Sequence, residues 1–274
     1  MADVLILGSG TPNADQGRGG AAVAVVADDG DWLLIDAGRA ATQRAIDAGL
    51  DLARLAGVFI THHHSDHLSD LPTLATTRWV VGASGPLLVI APQGPCTRFA
   101  ESCLDAFDDS CFHGQSVSAG RRPSIEVLGF ETSTTATPVW QSAGWSISSA
   151  LVDHHPVAPA VGYRVHIDDV TIAISGDTAV CDGIRALARD ADVLVHEALL
   201  TATASASLLA WNAGARSVGQ MAAEERVRTL MLTHLLPAPR DAADEEAFAA
   251  EARAGGWTGP LHIARDLLRV QVER

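Results

Sequence analysis

The chain has 274 residues, a 47% apolar composition and a formal net charge of −14, enough apolar mass for one large domain or two small ones. All 19 basic residues are arginine, and the acidity disfavours broad electrostatic binding to nucleic acid or to an anionic membrane. A single tyrosine, Tyr163, leaves little from which to build a stacking surface for single-stranded nucleic acid.

No stretch approaches the roughly 20 apolar residues of a membrane span. Met1-Ala2-Asp3 runs straight into an apolar strand without the basic and apolar regions of a leader. Cys96, Cys103, Cys111 and Cys181 form no Cys-x-x-Cys pair and read as free thiols in a reducing compartment. A cytoplasmic protein with no membrane partner is expected.

Val4 to Leu7 reads as a strand, followed by the turn Gly8-Ser9-Gly10-Thr11-Pro12. Ala21 to Ala27 and Trp32 to Ile35 form a hairpin pattern around Asp28-Asp29-Gly30. A short helix is expected over Ala40 to Ala48, a strand over Val58 to Ile60, a helix over Leu68 to Val81 and a strand over Leu87 to Ile90. Thr97 to Phe107 has apolar residues at helical spacing. Strands then follow at Ser124 to Leu128, Trp145 to Val152, Val161 to His166 and Val170 to Ile174. Val193 to Val195 and Leu230 to Leu232 are short buried strands separated by a helical segment, Arg216 to Glu225. Asp241, with Asp244 and Glu245 behind it, marks a helix start, and Gly255-Gly256 its stop. His262 to Val272 closes the pattern as a strand. Strands and helices recur without a linker, which argues for one layered α/β unit.

Chemistry concentrates at strand ends. The run Thr61-His62-His63-His64-Ser65-Asp66-His67 follows the strand ending at Ile60, and imidazoles with a carboxylate at this density suit zinc and related divalent ions. Three later segments share the grammar of an apolar strand ending in His or Asp: Val152-Asp153-His154-His155, Ser175-Gly176-Asp177-Thr178 and Leu232-Thr233-His234. Taken singly, His234 reads as a packed strand-end histidine and Asp177 as a helix N-cap. Beside a cluster that needs further ligands, both become candidates.

In this order the motifs resemble the metallo-β-lactamase superfamily, and within it the ribonuclease Z-like and arylsulfatase-like hydrolases. The resemblance spans nearly the whole chain, from Leu7-Gly8-Ser9-Gly10-Thr11-Pro12 and Ile35-Asp36-Ala37-Gly38 to the last strand. It implies a four-layer αββα sandwich, with residues 1–274 as one hydrolase domain. Carried over to this chain, it implies one ion on His62, His64 and His154, a second on Asp66, His67 and His234, and Asp177 bridging the two. His155 adjoins His154 and either could face the site; the spacing through Pro156 to Gly162-Tyr163-Arg164 favours His154. The pair would hold a hydroxide as nucleophile, oriented by Asp66. His196-Glu197 resembles the family's His-Glu pair, in which the glutamate orients the histidine and the histidine meets the substrate or protonates the leaving group. Zinc is the expected cofactor, two ions per chain, with manganese or iron as alternatives for this mixed donor set.

The substrate is less defined. Gly82 to Trp145, where ribonuclease Z proteins carry a basic arm, has Arg98, Arg121 and Arg122 but is not notably basic. Leu235-Leu236-Pro237-Ala238 follows the last motif, Asn212 stands where similar sequences often have a histidine, and Arg39-Ala40 replaces Glu-Gly. These departures, with the net acidity, disfavour transfer RNA and point to a small ester or nucleotide-like phosphodiester. Hydrolysis of an aryl sulfate, lactone, thioester or organophosphate is the alternative, and a non-catalytic metal-binding interaction module the third. A homodimer is the commonest assembly on general grounds.

Overall fold

The computed structural model describes residues 1–107, 122–142 and 144–272; Cys111 and Arg121 lie outside them. In chain order the first half runs β1 (Ala2–Gly8), β2 (Ala22–Ala27), β3 (Trp32–Ile35), α1 (Ala41–Asp47), β4 (Leu55–Phe59), α2 (Ser65–Leu68), α3 (Leu71–Val80), β5 (Leu87–Pro92), α4 (Pro95–Ser102) and β6 (Ile125–Phe130). The second runs β7 (Thr137–Ser142), β8 (Trp145–Leu151), β9 (Val161–Ile167), β10 (Val170–Ile174), α5 (Asp182–Ala188), β11 (Val193–Leu199), α6 (Ala215–Glu224), β12 (Thr229–Leu236), α7 (Ala242–Ala254), β13 (Leu261–Ile263) and β14 (Leu268–Val272). Two seven-stranded sheets result, ordered β14-β1-β2-β3-β4-β5-β6 and β13-β12-β11-β10-β9-β8-β7.

Strand periodicity explains the layers. Successive side chains of a strand point to opposite faces, so a strand covered on both sides must be apolar at every position. In β1, Val4 and Ile6 join a core between the sheets, with Phe59, Tyr163 and Ile172, while Leu5 and Leu7 join a second core. That second core includes Ala41 and Ala45 of α1, Leu71 and Leu74 of α3, and Cys96 and Ala100 of α4. A third packs Leu194 and Leu230 against Ile184 and Leu187 of α5, Val218 of α6 and Phe248 of α7. The order of layers is helix, sheet, sheet, helix, the αββα sandwich.

β3 to β6 run parallel, as do β10 to β13. The C-terminal ends of β4, β10, β11 and β12 can therefore deliver side chains to one rim. Ligand sites of parallel sheets favour that edge.

The elements differ from expectation where tertiary contacts intervene. The helix expected over Leu68 to Val81 divides into α2 and α3, because Asp70 turns back to accept from the Thr42 amide at 2.6 Å and Pro72 starts a new first turn. β11 and β12 run past the apolar stretch, through His196-Glu197 and Thr233-His234, since backbone pairing continues where the side chains turn polar. The strand expected over His262 to Val272 divides at Leu267, whose φ is 67°; β13 completes one sheet and β14 the other. α4 ends at Ser102 rather than at Phe107, and β7 was absent from the sequence pattern. Among the described residues no helix is long and apolar enough to cross a membrane.

Candidate metal centre

The turn after β4 is held from below by one carboxylate. Asp36, at the end of β3 with φ 60°, accepts from the Thr61 amide at 2.7 Å and the Thr61 hydroxyl at 2.8 Å. His67 Nδ1 donates at 2.7 Å to Asp36 Oδ2, the oxygen that also accepts the Thr61 hydroxyl, which turns His67 Nε2 toward Asp177 Oδ1 (3.4 Å) and Asp66 Oδ2 (3.6 Å). A histidine whose second nitrogen is tied to a carboxylate has its tautomer and ring plane set for a metal.

Asp177 reaches the rim on the loop after β10. Gly176, with φ 62°, lies so close to Thr61 that a Cβ would stand 2.9 Å from the Thr61 Cβ. Glu197 of β11 fixes the loop by accepting from the Thr178 amide at 2.5 Å, and the Ser175 hydroxyl accepts from the Glu197 amide at 3.2 Å. His234 arrives by a bulge in β12: the register passes from Glu197↔Thr233 to Ala198↔Leu235, so His234 has no partner across the ladder, and its φ is 48°. An extra residue of this kind re-aims a side chain at a sheet edge. His154, buried in the β8–β9 loop, donates from Nδ1 to the Trp211 carbonyl at 3.1 Å.

These elements bring the expected residues together in two groups. The donor atoms of His62, His64, His154 and Asp177 lie within 4.8 Å of one another, as do those of Asp66, His67 and His234. Asp177 Oδ2 is 4.0 Å from His62 Nε2, 3.9 Å from His154 Nε2 and 3.6 Å from His234 Nε2, so it faces both groups. His154 is turned in, whereas His155 is exposed. His63 lies outside both groups.

Ring nitrogens crowd one another here, His62 Nε2 on His64 Nδ1 at 3.0 Å and His154 Nε2 on the same atom at 3.4 Å. Asp66 Oδ1, His67 Nε2 and Asp177 Oδ1 are buried without hydrogen-bond partners. Orphaned buried polar atoms are costly, and a cation among them removes the cost. The imidazole and carboxylate donors also suit divalent ions, so the residues present fit a metal centre.

The charges are tuned accordingly. Burial, then the neighbouring His67, pushes His62 well below the ordinary imidazole range; burial and His154 lower His64. Both therefore present neutral nitrogens. Burial works against the charge of Asp66, but the hydrogen bond from His234 and the charge of His67 hold its carboxyl low. Asp177 is held well below the carboxylate range, since His234 and His67 outweigh its burial. His67 is the exception: burial disfavours its charge, yet Asp177 and Asp36 raise it well above the usual value.

The pair His196-Glu197 is divided by strand parity. Glu197 follows Val193 and Val195 toward the inter-sheet side and lines the site cavity, while His196 lies on the face of Leu194 and Ala198, which pack in the helical layer. His196 is wholly buried, its Nδ1 on the Glu197 carbonyl at 2.8 Å, and burial pushes it down to about 4. The structure does not bring His196 to the lining of the site cavity, whereas Glu197 is part of it. Glu197 does not orient His196 through its carboxylate either. The anchoring of His67 by Asp36 and of His154 by the Trp211 carbonyl had no sequence signal beyond Asp36 lying at a strand end.

Beside the centre lies a cavity of about 270 Å³. Its other wall includes Pro12, Leu199, Leu208, Trp211, Asn212 and Leu236.

Comparison with known proteins fits this geometry. A model of the beta-lactamase superfamily domain matches residues 31–235. Ribonuclease Z of Mycolicibacterium paratuberculosis is 33% identical, over 100% of this chain and 99% of that protein. Ribonuclease Z of Mycobacterium bovis is 31% identical, over 99% of each. Among solved structures, human tRNase Z, short form, superposes with a TM-score of 0.76 at 20% identity, covering 99% of this chain and 100% of that one. These relatives overturn the expectation that transfer RNA is disfavoured as a partner. Net charge sums the whole surface, whereas an RNA grip needs only local cations, so a total of −14 excludes no such grip.

Proposed function

This chain belongs to the beta-lactamase superfamily, among its ribonuclease Z-like metal-dependent hydrolases, and from that premise we propose that it is a phosphodiesterase of the ribonuclease Z type, acting on RNA, transfer RNA included. The observation that carries the reading is the paired cluster of buried donors sharing Asp177. In this reading His62, His64 and His154 hold one divalent cation, Asp66, His67 and His234 a second, and Asp177 lies between; zinc suits the donor set best. Bound there, the cations supply Lewis acidity at a phosphoryl oxygen and acidify water. Asp66 offers Oδ1, buried and without a partner, as the acceptor that orients the attacking water. Glu197 acts as a positioning residue, keeping Asp177 in place through the Thr178 amide.

The test is hydrolysis of bis(p-nitrophenyl) phosphate and of transfer RNA transcripts by protein of known metal content. Asp66→Ala and His64→Ala should lose turnover together with bound metal. Full activity with less than one metal per chain would overturn the two-cation reading. One observation, the apolar wall opposite the cluster, favours a second ester class. Turnover confined to p-nitrophenyl sulfate, lactones or thioesters would assign it.

A further inference from the structure

We infer that the cavity beside the metal centre is a subsite for one compact, uncharged aromatic ring carried next to the scissile bond. The inference rests on the reading of the centre as the hydrolytic site, because the cavity is where a group attached to the reacting atom must go. One wall of the 270 Å³ space is formed by His64, His154, Asp177, Glu197 and His234, so whatever fills it touches the centre.

The opposite wall is built for an apolar occupant. Leu199 and Leu236 are register partners on β11 and β12, two residues beyond Glu197 and His234 respectively. Both strands thus change from polar to apolar as they leave the centre. Leu208, Trp211 and Pro12 complete that wall. None of the described arginines lines the cavity, and away from the centre its polar groups are Thr11, Asn13 and Asn212. A second phosphate would find no cation there beyond the centre itself. The volume is near the low end for ligand sites, room for one ring system.

Two observations favour a flat occupant in a pre-formed site. Trp211 supplies an aromatic wall, on which a ring can stack or meet edge to face. Its buried indole N–H has no acceptor among the described residues. The segment that carries the wall is also tied down: the Thr201 and Ala202 amides donate to Glu251 at 2.8 and 2.9 Å, Asn212 Nδ2 donates to the Leu208 carbonyl at 3.1 Å, and the Trp211 carbonyl is held by His154. A wall ordered before binding costs less to engage.

Such a ring has two sources, a nucleobase of a nucleotide chain or the aryl group of a small ester, and one titration series separates them. Metal-loaded protein is titrated calorimetrically with methylphosphonate, phenylphosphonate and uridine 3′-phosphate. The first two share the group that meets the metals and differ only in the ring. Phenylphosphonate should bind roughly tenfold tighter, from the apolar area buried. Leu208→Trp, which fills the cavity from a half-buried position outside the strands and helices, should erase the difference and leave methylphosphonate unchanged. Leu208→Ser should reduce it without blocking the space. Equal affinities in the unaltered protein, a preference that survives Leu208→Trp, or no binding of phenylphosphonate would each overturn the subsite. Loss of uridine 3′-phosphate affinity in Leu208→Trp would support it with a base as occupant; indifference of that ligand, while the substitution erases the phenyl preference of the unaltered protein, would support it with an aryl ester. Because binding is read without turnover, failure of bis(p-nitrophenyl) phosphate hydrolysis would count against the phosphodiesterase reading alone.

Discussion

Replacing Asp36 by asparagine isolates the one carboxylate that sets the tautomer of His67. The change keeps the side chain's size and a residue type that tolerates the left-handed backbone at φ 60°. The amide oxygen can still accept from the Thr61 amide, and the Thr61 hydroxyl can turn to accept instead of donating. The bond that cannot be rebuilt is the one from His67 Nδ1, 2.7 Å away, because an amide N–H now faces a ring N–H. Either the two donors oppose each other in a buried site, or His67 moves its proton to Nε2 and points it at Asp66 and Asp177. A hydrogen bond to a charged group contributes about 1.5–3 kcal/mol, so zinc affinity should fall by roughly 10- to 100-fold. Competition against a chromophoric chelator measures the affinity, and circular dichroism checks that the fold persists. A folded Asp36→Asn protein that binds zinc within twofold of the unaltered one would refute this account of how the centre is oriented.

Gly38→Ala should destabilise by about 2 kcal/mol or more, because its Cβ would stand 2.0 Å from the Asp66 carbonyl oxygen and 2.5 Å from the Gly20 carbonyl carbon. Urea denaturation reads the loss, and an unchanged midpoint would contradict the packing of the Asp66 loop. Glu251→Ala removes the acceptor of the Thr201 and Ala202 amides and should speed amide hydrogen exchange across residues 200–212 while the strands stay protected. For the metal-free protein the pH dependence follows from His67, in which Asp177 and Asp36 outweigh burial and raise its pKa. A raised imidazole contributes stability that is complete below about pH 6.5 and is lost as pH climbs through the folded value. Asp177, held low, contributes in full above the ordinary carboxylate range and adds no slope there. Chelator-treated protein should therefore lose urea resistance from neutral to alkaline pH; a midpoint that rises instead would count against the His67 assignment.

Much of the centre was legible because strand ends are. An apolar run followed by histidine or aspartate places that side chain at a sheet rim, and the parallel order of β10, β11 and β12 collects three such ends. Parity was equally available for His196 and Glu197: adjacent residues in a strand face opposite sides, so only Glu197 turns toward the cavity. The bulge at His234 was not legible, since one extra residue leaves the sequence pattern of β12 intact and shows only against the register of β11. Nor was the division of the last strand, because short alternating segments pair wherever an edge stands open and tertiary context decides. Asp70 and Pro72 did carry a signal for the break between α2 and α3, a capping residue followed by proline.

Asp266 has a consequence for how the molecule is made. It sits just before β14 and binds the Ser9 amide and hydroxyl, the Gly19 amide and Arg44, all near the start of the chain. β14 is also the strand that covers the outer edge of β1. During synthesis β1 therefore emerges before β14 and waits for this neighbour until more than 200 residues have followed. Through that interval its edge is open to other nascent chains. The sheet that carries His62 to His67 closes only with the last described strand, so a ribosome-bound chain lacking that strand would have the second sheet's ligands in hand before the first sheet is whole.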